Sequence, residues 1–206
     1  MLEYLVIVGA VGLFGLQHSG LSALRIKSRI IKRLGKNGYG RVFTVTSVVA
    51  LVVAFLSMDY WDWLYFIFSP QDVNLFLTFA GVASIVIGLI IAKAASKDLS
   101  VTTVADMRTD RKPELVTRGA YSRLRHPLYL ATILILVGMM LLYPFPRVIV
   151  FDLSLIAYVF IGARLEERKL IVIYGQEYLE YRHKAGFMFP RVSRSHEQKA
   201  PVSDSA

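Results

Sequence analysis

Along the chain, apolar residues gather into long blocks separated by polar stretches, rather than alternating at the period of an exposed strand. A bilayer core about 30 Å thick takes roughly 17 to 25 mostly apolar helical residues per crossing. Leu2 to Leu24, Val42 to about Trp63, and Val73 to Ala95 meet that length. A further block, Leu128 to Ala163, is interrupted at Pro144-Phe145-Pro146, where two closely spaced prolines end a helix and favour a turn. It predicts a helical hairpin of two short spans. The expected fold is all-α: an integral membrane helical bundle of about five transmembrane helices, followed by a cytosolic C-terminal amphipathic helix.

Charge sets the expected orientation. Residues 25 to 41 carry seven basic side chains and no acidic one, residues 93 to 127 carry eight basic and four acidic, and residues 164 to 206 carry eight basic and six acidic. The opposite loops hold Glu3, Asp59, Asp62 and Asp72, with Arg147 as their only basic residue. Positive loops stay cytoplasmic, so five crossings place the N-terminus outside and the C-terminus inside. Tyr60, Trp61, Trp63, Tyr65 and Phe66 suit an aromatic belt at the outer interface. Leu2 to Leu16 lacks the basic leader and small-residue cleavage site of a signal peptide, and reads as a retained helix. Residues 1–191 are expected to form one membrane-embedded domain, and 192–206 a disordered polar tail.

Composition agrees. The chain is 55% hydrophobic and 19% charged, with mean hydropathy +0.50, against about 45–50% and 25% in soluble domains. Its net charge of +9 is accounted for by where the basic residues sit, so membrane lipids rather than nucleic acid are the expected partners. The absence of cysteine excludes disulfides, thiolate zinc sites, cysteine-ligated iron–sulfur clusters and a cysteine nucleophile; no metal is expected.

Two places could carry chemistry. His18, between Gln17 and Ser19, sits toward the inner end of the first span, where it is either a functional group or a neutral histidine bonded to a neighbouring helix. His126 has more informative company: Leu115 to Ala131 runs as a polar approach into an apolar helix opened by Pro127, where proline is tolerated at the first turn. The positive end of that helix dipole then lies beside Arg125 and His126, a place for an anion. The hairpin returns Glu166 and Glu167 to the same membrane face. Beyond them Glu167, Ile171, Tyr174, Tyr178 and Tyr181 recur at helical spacing and predict one continuous face. Gly38-Tyr39-Gly40 reads only as a flexible connector in the basic loop.

Arg125-His126-Pro127-Leu128-Tyr129, the hydrophobic hairpin, Glu166-Glu167, and Tyr174 to Tyr181 together resemble the membrane methyltransferases typified by isoprenylcysteine carboxyl methyltransferase. Phospholipid N-methyltransferases and methanethiol S-methyltransferases share the general pattern, which covers residues 115–190. The resemblance implies S-adenosylmethionine bound at the cytosolic edge of the bundle and a lipophilic acceptor coming from the bilayer. By position, it implies that Leu115, Val116, Gly119, Tyr121, His126, Pro127, Tyr129, Glu166 and Glu167 line the cofactor pocket, with Arg125 and Glu167 as catalytic residues. Two stretches differ within the pattern: Ala131 stands where a glycine is usual, and Lys184-Ala185-Gly186 stands where carboxyl methyltransferases show Arg-Val-Pro. Outside it, Leu16 to Ser19 followed by the basic loop looks more like the thiol branch.

Methyl transfer from a sulfonium is an in-line displacement, which asks a protein mainly to align the reactants and exclude water. Arg125 could grip an acceptor carboxylate bidentately, and an amine acceptor would instead need one Glu to remove a proton. Isoprenylcysteine-type carboxyl methylation is the leading expectation, with thiol or phospholipid methylation as the alternatives. From other classes, a membrane reductase and a non-enzymatic lipid-binding protein remain.

Overall fold

A computed structural model describes residues 1–98 and 114–191. The 192–206 tail lies outside the described residues. Among the described residues seven α-helices follow in order: α1 (Leu2–Ser22), α2 (Leu24–Leu56), α3 (Tyr65–Phe68), α4 (Leu75–Asp98), α5 (Pro127–Leu142), α6 (Pro146–Tyr174) and α7 (Gln176–Lys184). Short 3-10 turns at Pro70–Asp72 and Gly119–Ser122 precede α4 and α5. Helices α1, α2, α4 and α6 are long and apolar enough to cross a membrane. The fold is an all-α membrane bundle whose outer surface is apolar: Leu13, Val49, Phe79 and Ile90 all stand exposed, as lipid-facing side chains do.

The hairpin forms where the prolines predict it, with unequal arms. Helix α5 has only 16 residues, about 24 Å at 1.5 Å per residue. Its partner α6 has 29, so Glu166 and Glu167 sit on the second arm itself rather than after it. Tyr143 and Phe145 at the turn pack against Tyr60, Trp63 and Tyr65 with ring centroids 5.1–6.3 Å apart, so much of the expected belt is an aromatic cluster that fastens the hairpin. Trp61 alone among these tryptophan and tyrosine residues is largely exposed. At the same end Arg147 bridges Glu3 of α1 and Asp59 after α2.

Helix α2 corrects the expected loop. It starts at Leu24, eighteen residues before the predicted span, and ends at Leu56 rather than Trp63. The seven basic residues are therefore helical, and Gly38-Tyr39-Gly40 is helix rather than connector; Tyr39 is buried and donates its hydroxyl to Leu21 O at 3.2 Å. One residue breaks the run: Gly35 takes φ 70° and ψ 175°, a backbone that glycine adopts without a Cβ penalty.

The polar triplet of α1 is used for helix–helix contact. Gln17 Nε2 donates to Thr46 Oγ1 at 2.7 Å, His18 Nδ1 lies 3.1 Å from Ser47 Oγ, and Ser19 Oγ lies 3.2 Å from the Tyr158 hydroxyl. Of the two readings of His18, the structure favours the histidine bonded to its neighbour.

Helices α4 and α5 approach through small residues. A Cβ on Gly81 or Gly88 would meet the carbonyls of Gly138 or Ala131 at 2.9 Å, and a Cβ on Gly138 would meet the Gly81 carbonyl at 2.7 Å. Without a hydrophobic force between helices in lipid, such close backbone contact supplies much of the attraction. Gly138→Val is expected to destabilise by about 1–3 kcal/mol through overpacking, read as a lower thermal midpoint in detergent. Gly9→Val, where nothing lies within 4 Å, should leave the midpoint unchanged.

Candidate active site

The approach to α5 is tied down from three directions. Gly119 takes φ 58°, and Ala120 N donates to Asp98 Oδ2 at 3.1 Å, joining the end of α4 to the segment. Downstream, Arg125 N donates to Gly186 O at 2.8 Å, His126 N to Phe187 O at 3.1 Å, and Gly186 N to Arg123 O at 3.0 Å. This short parallel pairing straps residues 185–188 across 123–126. From α7, the Tyr181 hydroxyl donates to Tyr121 O at 2.6 Å and also lies 3.2 Å from Leu124 O. The chain then enters α5 at Pro127, whose first turn has no side-chain cap.

At the centre of these elements lies one carboxylate. Glu167 Oε1 accepts from Arg125 Nε at 2.6 Å and from the Tyr178 hydroxyl at 3.2 Å, with His126 Nε2 at 3.3 Å. Its second oxygen is 3.6 Å from Arg182 Nε. The Arg125 and Glu167 side chains are 8% and 9% exposed, so this pair is shielded from solvent and held by geometry. Arg125 Nη1 also donates to Ala185 O at 2.7 Å and Arg182 O at 3.2 Å. Two of its three nitrogens are thereby committed within the protein, and the bidentate grip on an acceptor expected of this guanidinium is not available in this geometry.

Beside the knot is a cavity of about 400 Å³. Of the residues marked in the sequence, Leu115, Val116, Tyr121, Arg125, His126, Pro127, Tyr129 and Glu166 line it. Gly119 and Glu167 do not: Gly119 faces Asp98, and Glu167 is buried in the knot. Tyr174, Tyr178 and Tyr181 complete the wall, although the expected continuous face is broken at Gly175 (φ 61°, ψ −128°), which divides α6 from α7. Glu114, Leu128, Thr132 and Leu170 are further lining residues. Thr132 and Leu170 were legible only as helical neighbours, one turn beyond Leu128 and Glu166. Phe187, packed on His126 at 4.9 Å between centroids and lying under Arg125 and Arg164, carried no sequence signal.

Protonation follows from this packing. Burial holds the His126 imidazole below its ordinary value of 6.5, against the opposing pull of Glu166 and Glu167. Neutral at pH 7, with Nε2–H donating to Glu167, it turns Nδ1 toward Glu166, whose Oε2 is 3.9 Å away. Burial also pushes the Tyr181 phenol up to about 12 and raises those of Tyr121 and Tyr178, so all three remain uncharged hydroxyls at neutral pH.

Truncating one partner of the knot leaves a buried charge behind. Glu167→Ala is expected to cost about 3–5 kcal/mol and Tyr178→Phe about 1 kcal/mol, both read from thermal unfolding in detergent. The unfolded chain binds a proton near pH 6.5 that folded His126 resists, so this residue makes stability fall as pH drops through 6.5 toward the folded value. His126→Gln should flatten that part of the acid limb in a series of melting curves; an unchanged slope would contradict the assignment.

Residues 76–177, from α4 through the first turn of α7, match the family model described as phospholipid methyltransferase. No curated protein and no solved structure matches the chain. The matched segment contains the α4–α5 contact, the Arg125-His126-Pro127 turn, the hairpin and both glutamates, which are the elements that build the cavity. Over those residues, 102 of the chain's 206, the chain resembles the phospholipid methyltransferase family, a match that supports a membrane methyltransferase.

Proposed function

We propose that the chain transfers a methyl group from S-adenosylmethionine to a lipophilic acceptor reaching the cavity from the bilayer. The observation that carries this reading is the cavity itself, which sets a carboxylate about a third exposed, a neutral imidazole and uncapped helix amides among aromatic and aliphatic walls. Those groups fit the donor. Tyr121, Tyr174, Tyr178 and Tyr181 would wall its purine, and Glu166 would accept from its ribose hydroxyls or ammonium. The first-turn amides of α5, beside the remaining Nη2 of Arg125, suit its carboxylate. When bound, it supplies a methyl group activated on a sulfonium sulfur.

The chain's own task is then alignment and exclusion of water. Glu167 holds Arg125 and His126 in place, and the 185–188 strap closes over them. Leu128 and Thr132 line the cavity and also stand exposed on the outer side of α5, so the wall they form is the one an acceptor dissolved in lipid meets first. Isoprenylcysteine-type carboxyl methylation is the leading substrate class; Arg125 would hold such a carboxylate through Nη2 alone. The family match supports a phospholipid amine as the second reading. There Glu166 is the carboxylate placed to take the proton, because Glu167 is already occupied by its donors. Charge supports an orientation with the N-terminus outside and the C-terminus and cavity cytosolic: Ser22 and Lys169, in contact at 3.3 Å, sit beside the basic start of α2 at the cavity's end of the bundle.

Titration of the purified protein with S-adenosylhomocysteine and with NADPH tests the donor. Saturable binding of the first and not the second is expected, and Glu166→Ala should weaken it at least tenfold, as for the loss of a charge-assisted hydrogen bond of about 1.5–3 kcal/mol, with an unchanged thermal midpoint. Binding of NADPH instead would restore the reductase reading, and binding of neither the lipid-binding one. Incubation of membranes with methyl-tritiated donor separates the acceptors: label released as methanol by base marks a carboxyl ester, and label retained in a headgroup marks an amine.

A further inference from the structure

The basic stretch after α1 is built as a separate helical arm. Ala23 is extended (φ −63°, ψ 132°) and Gly35 takes φ 70°, and residues 24–34 are helical between these two breaks. The bend at Gly35 brings Lys27 Nζ to 5.9 Å from the Tyr39 ring centroid. On a straight helix those residues would be about 18 Å apart along the axis, beyond the reach of the two side chains, so the arm leaves the line of the rest of α2. Its start lies at the cavity's end of the bundle, where Tyr39 bonds Leu21 O and Lys169 bonds Ser22.

The arm is two-sided. At about 100° per residue, Arg25, Arg29, Lys32 and Arg33 fall within one arc of about 100°, while Leu24, Ile26, Ile30, Ile31 and Leu34 occupy the remaining side together with Lys27, which turns to the Tyr39 ring. Much of that apolar side is open: Leu24 is 50%, Ile26 40% and Leu34 58% exposed, while Ile30 and Ile31 are partly covered. Among the described residues no ion pair involves Arg25, Arg29, Lys32 or Arg33, and residues 25 to 41 contain no acid. A short helix with a largely open apolar face beside a cationic one has the form that lies in a membrane interface, and uncompensated basic clusters are drawn to anionic leaflets.

We propose that residues 24–34 lie in the plane of the membrane surface, with Ile26, Ile30 and Leu34 in the acyl boundary and Arg25, Arg29, Lys32 and Arg33 on the phosphates of anionic lipid headgroups. The arm then forms a cationic collar at the same end of the bundle as the cavity, fixing how deeply that rim sits and concentrating anionic lipid around it. Amines and zwitterionic headgroups gain nothing from such a surface. The occupant is an anionic lipid.

Because the chain has no cysteine, Ile30→Cys and Lys32→Cys each accept a single nitroxide. The full-length protein is placed in nanodiscs of phosphatidylcholine, or of phosphatidylcholine with an equal part of phosphatidylglycerol, and label depth is read from collisions with oxygen and with a water-soluble nickel chelate. Oxygen should dominate at position 30 and nickel at position 32. Position 30 should move deeper in the anionic discs, and high salt or the combination Arg25→Gln, Arg29→Gln, Lys32→Gln and Arg33→Gln should abolish that shift. Equal collision profiles at the two positions, or depth independent of lipid charge, would overturn the proposal. So would soluble polyphosphate moving the label in neutral discs as far as phosphatidylglycerol does. If the fourfold variant fails to fold, the salt and lipid-charge comparisons on the parent protein still decide.

Discussion

A buried carboxylate has to be surrounded by donors, and in this bundle Glu167 recruits them from two separate pieces of chain. Arg125 and His126 come from the turn before α5, and Tyr178 and Arg182 come from α7. Leaving such a charge unpaired in a low-dielectric interior costs several kcal/mol, so every arrangement of the hairpin that separates these groups is disfavoured. The break at Gly175 serves the same end. A straight continuation of α6 would carry Tyr178 about 16 Å along the axis from Glu167, whereas the turn brings its hydroxyl to 3.2 Å.

Consecutive residues on a helix point about 100° apart, and this divides the work of the glutamate pair. Glu167 turns inward and is consumed in organising the turn, while Glu166 faces the cavity with a third of its side chain exposed. Arg125 follows its partner inward. Residues that look alike by charge in the sequence thus separate into one that holds the cavity's shape and one that meets what enters it. The proposed donor and acceptor are served by the second kind, standing on a frame made by the first.

The remainder of the bundle keeps that frame in register. Glycines on α4 and α5 let the short helix lie close against a longer one, while aromatic rings and the Arg147 bridges fasten the opposite end of the hairpin. A helix of 16 residues is too short to be held by the bilayer alone; contact along α4 and α6 compensates. The uncovered apolar surface is left to lipid.

Block length and the paired prolines were enough to specify helices, membrane residence and the hairpin, because each depends on local composition or on backbone chemistry that no partner changes. Eight of the residues marked from Leu115 to Tyr129 and at Glu166 line one cavity. What the chain alone left open was direction and distance. The start of α2 looked like a loop because charge density hides a helix with part of its apolar side exposed, and only the backbone at Gly35 shows where it bends. The roles of Glu166 and Glu167, the commitment of Arg125 Nε and Nη1, and the strap carrying Phe187 depend on contacts between residues some forty to sixty positions apart in sequence. Such contacts have no signature in local pattern, so tertiary packing alone decided them.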